Sequence, residues 1–192
     1  MTLSLDTVIT RETLREVGAC WTLRKEEEFA ARYGDSMTLG TVLSCDAVTH
    51  ADRVWLGCQM LARHRGQWSA FAAALEFARR AAQYAPESRR AELHALLEEV
   101  ATLRGASRER CAEVRDRCWS YYITTADDAY AAYAAANAAS ASASDAHAAY
   151  AADAGRAAYD AAADAAAAAE DAYVDERRAQ IEILRRMIGG GP

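Results

Sequence analysis

Through residues 1–106 apolar side chains return every three or four positions, and few windows alternate at period two, so the pattern predicts an all-α chain. Thr10 can cap a first helix, RETLREVG, that Gly18 ends; a second, LRKEEEFAARYG, stops at Gly34. Thr38 opens a short helix through LGTVLSCDA, and Thr49 opens HADRVWLGCQMLAR, with Val54, Trp55, Cys58 and Leu61 on one face. QWSAFAAALEFARRAAQY follows Gly66 with Trp68, Phe71, Leu75 and Ala78 at helical spacing. Pro86 and Ser88 restart the chain in ESRRAELHALLEEVATLRG, which Gly105 ends. Pro86 and Pro192 are the only prolines, so little in the chain opposes helix.

From Ser107 the character changes. RERCAEVRDRCWSYY is amphipathic, with Cys111, Val114, Cys118 and Tyr122 on the buried side. Alanine then dominates to about residue 172. Its high helix propensity predicts helix there although it offers little side chain to bury. Serines in NAASASASD, residues 137–145, compete for backbone hydrogen bonds, which leaves one long helix or a helical hairpin bent near 140–145. RRAQIEILRRMI restores an apolar stripe of Ile181, Leu184 and Ile188, and GGGP reads as a disordered tail. The expected organisation is a helical globular part over 1–106, an alanine-rich long helix or hairpin with an acidic face over 107–188, and a tail over 189–192.

Aspartates punctuate the alanine tract at 153, 160, 164, 171 and 175. At about 100° per residue, Asp153, Asp160, Asp164, Asp171 and Asp175 fall within a stripe about 60° wide, and an unbroken helix adds Asp128 to it. Two interleaved eleven-residue steps, near 3.67 residues per turn, keep that stripe almost straight. Tyr159, Tyr173, Leu184 and Ile188 lie on the opposite side, joined by Tyr130 and Tyr133 if the register survives the serines. The helix is therefore one-faced, with a sparse aromatic seam for packing or for a second copy. The carboxylates have two readings. They solubilise an alanine-rich helix, or they form a site: four-residue steps of about 6 Å resemble the phosphate spacing of a nucleic-acid strand. Aspartate is a poorer helix former than glutamate, and like charges four apart repel, so plain solvation would favour another choice.

Charge sharpens the picture. The net charge of −6 is not spread evenly. Residues 1–119 carry 17 acidic and 17 basic side chains, whereas 120–176 carry ten acids against Arg156 alone, a local net of −9. Lys25 is the sole lysine beside 21 arginines, and no run of arginines suits nucleic acid, so direct nucleic-acid binding is not expected. No long uncharged apolar run or signal-like start appears, so a cytoplasmic protein without a membrane span is expected. The five cysteines include no C-x-x-C pair and read as reduced thiols. His50, His64, His94 and His147 fit no metal spacing, and no phosphate loop or nucleophile motif occurs, so the expectation is a non-enzyme without cofactor or metal. Trp21, Trp55, Trp68 and Trp119 read as core anchors.

The succession ITRETLREVGAC, ARYGDSMTLGTVL, ADRVWL and an Ala/Asp/Tyr tract closing on ERRAQIEILRRMI resembles a loose group of phage and bacterial proteins. In that group a helical N-terminal part precedes an alanine-rich tract ending in a similar AQ…LRR helix, and some members are labelled immunity proteins. The resemblance covers most of the chain and departs from the group in the serine stretch and in the scarcity of arginine within the tract. It implies a small helical protein of a phage or mobile element that neutralises another protein. The leading expectation is a non-enzymatic inhibitor of anti-defence, anti-CRISPR-like or immunity type, placed in the host cytoplasm if phage-encoded. Its acidic stripe would meet a basic partner, a nucleic-acid-handling defence protein or a toxin. The alternative is a structural or assembly protein that forms a homodimer through the tyrosine and alanine seam.

Overall fold

The computed structural model describes residues 3–17, 27, 30–31, 34–125, 133, 136–137 and 170–190, with the backbone alone at 124, 125, 170 and 171. Among the described residues the fold is all-α, seven helices with one two-stranded antiparallel sheet. Strand β1, Val8–Thr10, leads into helix α1, Arg11–Glu16, and strand β2, Ser36–Thr38, leads into α2, Leu39–Ser44. The strands pair Val8 with Thr38, Ile9 with Met37 and Thr10 with Ser36. No strand is expected from the sequence, and this small sheet corrects that reading. Three residues are too few to show alternation, and the pairing follows from the caps. Thr10 and Thr38 both hold extended backbone while their hydroxyls accept from Thr13 N (3.1 Å) and Thr41 N (3.2 Å), so the residue before each helix is already strand-like.

The other expected starts and stops appear where the local chemistry puts them. Thr49 caps α3, His50–Arg65, accepting from Asp52 N at 3.2 Å and donating to Asp52 Oδ2 at 2.7 Å. Gly66 ends it at φ +87°, a left-handed value that favours glycine. Helix α4, Trp68–Ala82, follows at once; α5, Glu87–Ala101, starts after Pro86, and α6, Arg108–Thr125, starts after Ser107. Helix α7, Glu170–Gly189, closes the described chain. Of LRKEEEFAARYG, residues 27, 30 and 31 are helical, and the Gly34 N–H donates to the Ala30 carbonyl at 2.8 Å.

Helix α4 is the middle of the core. Phe71 and Phe77 supply its bulk, while Ala70, Ala73, Ala74, Ala78, Ala81 and Ala82 are buried and let α3, α5 and α7 come close. Helix α3 contributes Val54, Leu56, Cys58, Met60 and Leu61. Its Gly57 is the point of closest approach to α7: a Cβ there would lie 2.9 Å from Leu184 Cδ1. Helix α7 also packs on α2, so it belongs to the same core as the elements before residue 106. Where a disordered tail was expected from residue 189, Gly189 is the last residue of α7. Arg65 donates to the Ile188 and Gly190 carbonyls, both at 2.8 Å, which satisfies the end of the helix. The expected kink or hairpin at 137–145 lies outside the described residues, apart from Asn137.

Trp68 stands edge-on to Phe71 at 5.6 Å, as a core anchor should. Trp119 differs. It is 43 % exposed on α6 and is sheltered by Tyr122 and by Tyr133, whose ring lies 4.9 Å away. Trp21 lies outside the described residues.

Candidate functional site

Helix α7 has two faces that matter. Inward, Glu176, Gln180, Leu184 and Ile188 recur every fourth residue and are each 0 % exposed. The apolar half of that row is legible in the sequence. Its polar half is not, because carboxylate and amide side chains interrupt the apolar pattern. They are buried because they satisfy each other. Arg80 of α4 donates its Nε to both Glu176 oxygens, at 3.0 and 2.8 Å, and its Nη2 lies 2.8 Å from Oε2. Tyr84 donates to Oε2 at 3.2 Å, and Gln180 Nε2 donates to Oε1 at 3.0 Å. Gln180 Oε1 faces His50 Nε2 at 2.7 Å, which continues the chain of polar groups to the first turn of α3. Burial lowers the His50 pKa, against the hydrogen bond to Gln180, and His50 Nδ1 is buried without a partner among the described residues. The Tyr84 hydroxyl is raised, first by burial and then by the neighbouring Glu176 carboxylate. The Arg80 guanidinium is also raised, because Glu176 and Tyr84 outweigh its partial burial.

Outward, α7 faces an open groove of about 720 Å³ against α2 and the start of α3. Leu43, Val174 and Ile181 give it an apolar lining. Arg53, Arg177, Arg178 and Arg185 surround them, against the carboxylates of Asp46 and Glu182. Neutral groups hold two of these arginines. Arg185 donates to Ser44 Oγ at 2.5 Å and the Gly40 carbonyl at 3.4 Å; Arg177 donates to the Tyr173 hydroxyl at 3.3 Å and lies 5.3 Å from its ring centre. Arg53 is 8 % exposed, with Nη1 3.3 Å from the Leu43 carbonyl and 3.4 Å from Asp46 Oδ1. Its Nε is buried without a partner among the described residues. The arrangement is a cationic groove. Val174, Arg178, Ile181 and Arg185 are three to four apart on one face, a signal present in the sequence, whereas Arg53 and the α2 wall come from elsewhere in the chain.

Of the expected acidic stripe, Asp128, Asp153, Asp160 and Asp164 lie outside the described residues, and Asp171 is described by its backbone alone within α7. Asp175 is exposed on α7 and forms an ion pair with Arg178 at 2.8 Å. Of the expected aromatic seam, Tyr130 and Tyr159 lie outside the described residues. Tyr133 packs on Trp119, and Tyr173 is half-buried beneath Arg177. Leu184 and Ile188 are core residues of this chain, so at these two positions the seam serves internal packing and is covered from a second copy. Cys58 and Cys118 are buried thiols pushed up to about 12 by burial. Among the described residues no group of three or more histidine, cysteine, aspartate or glutamate side chains could hold a metal ion, and no helix is long and apolar enough to cross a membrane. No protein-family model, curated protein or solved structure matches this chain.

Proposed function

We propose that the protein is a non-enzymatic inhibitor that occludes a basic protein partner, a nucleic-acid-handling defence effector or a toxin, through the acidic face of its alanine-rich tract. The observation that carries the reading is the orientation of α7. Asp175 is exposed on the side away from the fully buried row of Glu176, Gln180, Leu184 and Ile188, so the stripe meets solvent at its described end. The exposed Asp175–Arg178 pair does not oppose this role, since an ion pair in water holds at most about 1 kcal/mol. Upstream, residues 126–169 carry six aspartates against Arg156, so that segment has almost no cation of its own to neutralise it. Partner binding of this kind is fast and weakens steeply with salt.

The test is capture of host-lysate proteins on the tagged full chain, eluted in rising salt. It is repeated with Asp153, Asp160, Asp164, Asp171 and Asp175 changed together to asparagine. The expected result is a basic protein released at moderate salt by the native chain and not retained by the variant. Capture that survives high salt, or that the five asparagines leave intact, rejects the reading.

A further inference from the structure

The geometry points to the α7 groove as a binding site for a small organic polyanion, one that carries phosphate or carboxylate groups on a partly apolar frame. This site is opposite in sign to the acidic face and borders it at Arg178, which pairs with Asp175 at 2.8 Å. Four guanidinium groups line the groove against two carboxylates, and of the four only Arg178 has a close acid among the described residues, the exposed Asp175 at 2.8 Å. Among the described residues Arg177 and Arg185 have no carboxylate within ion-pair distance. Both are fixed by uncharged oxygens, so they are oriented without being neutralised. Arg53 presents the sharper anomaly. It is nearly buried, and among the described residues its Nε has no partner and its only acid is Asp46, whose side chain is 99 % exposed, at 3.4 Å. A desolvated guanidinium with an unmet N–H is costly to leave, and an anion in the groove would offset it.

Ligand size and class follow from the same features. A space of about 720 Å³ lies within the range of small-molecule sites, roughly 300–1,000 Å³. Planar guanidinium forks match carboxylate and phosphate oxygens in pairs. Leu43, Val174 and Ile181 would cover a non-polar part of the ligand. Val174 is 50 % exposed, so part of this apolar lining is open to a ligand.

Isothermal titration of the full chain with pyrophosphate, citrate and ADP, at fixed ionic strength, tests the assignment. Acetate serves as the single-charge control. The expected result is saturable binding of one equivalent for at least one polyanion and none for acetate. Arg177→Gln and Arg178→Gln should each weaken binding about tenfold or more, and Arg104→Gln, on an exposed turn outside the groove, should leave it unchanged. Arg178 is 75 % exposed at its side chain, so its variant keeps the fold and the result remains interpretable if Arg177→Gln does not. Heats that never saturate, or that fall equally in Arg104→Gln, overturn the assignment. A salt-sensitive dimer in sedimentation that the polyanions dissociate also overturns it, because the groove then holds the acidic tract of a second copy. Heats that never saturate leave lysate capture by the aspartates untouched, so the two readings fail separately.

Discussion

Glu176 is the residue whose removal should cost the fold most for its size. Its carboxylate is 0 % exposed and accepts from Arg80, Tyr84 and Gln180, four hydrogen bonds among three donors. Glu176→Ala removes the acceptor that these three side chains share. Removing one partner of a fully buried ion pair costs about 3–5 kcal/mol. Here the Arg80 side chain is 31 % exposed, so water recovers part of its solvation and lowers the cost. The buried Gln180 amide loses its bond to a carboxylate, and a hydrogen bond to a charged group contributes about 1.5–3 kcal/mol. The expected destabilisation is about 3 kcal/mol, a fall in Tm of about 6–12 °C for a chain of this length. Glu176→Gln keeps the shape and part of the bonding and should cost about half as much. Urea unfolding of the full chain, followed by circular dichroism, measures both, with Asp175→Ala as an exposed control expected within about 0.5 kcal/mol. A loss below about 1 kcal/mol for Glu176→Ala would refute the reasoning, since it would mean that the row of buried polar groups is open to water.

Gly57→Ala should lower stability by up to about 2 kcal/mol in the same assay. The added methyl meets buried Leu184, and overpacking of about 1–3 kcal/mol exceeds the helix-propensity gain of about 1 kcal/mol. Thr49→Ala should cost about 1 kcal/mol, because it removes the hydroxyl that accepts from Asp52 N at the start of α3. The His50 pKa is lower in the folded chain than its ordinary 6.5, so the unfolded chain binds the proton first. Stability should fall as pH drops below 6.5, be unaffected by this group above it, and lose that slope in His50→Gln, as read by Tm against pH. Iodoacetamide at pH 8 should modify half-buried Cys45 well before Cys58 and Cys118, whose thiols stand near 12, and mass mapping of the labelled sites checks the order.

Local rules carried the sequence reading where they act over a few residues. Threonine caps at 10, 38 and 49, the left-handed glycines at 34, 66 and 105, and the restart at Pro86 each depend on backbone geometry within one turn, so their positions are legible without a fold. The apolar row of α7 is legible for the same reason down to Leu184 and Ile188. Two kinds of feature needed the third dimension. The sheet of β1 and β2 joins segments too short to carry a period, and only their meeting in space defines it. Glu176 and Gln180 look like surface residues beside the arginines of ERR, because polarity alone argues for solvent; Arg80, Tyr84 and His50, about 90 to 130 positions away, make their burial affordable. The cationic groove likewise gathers Arg53 from α3 and three arginines of α7 around an α2 wall, in a chain whose net charge is negative. Composition and local pattern thus determined the helical class and the ends of its helices. Tertiary packing decided which polar groups are buried and which charges share a surface, because desolvation and Coulomb energy depend on distance in space and not along the chain.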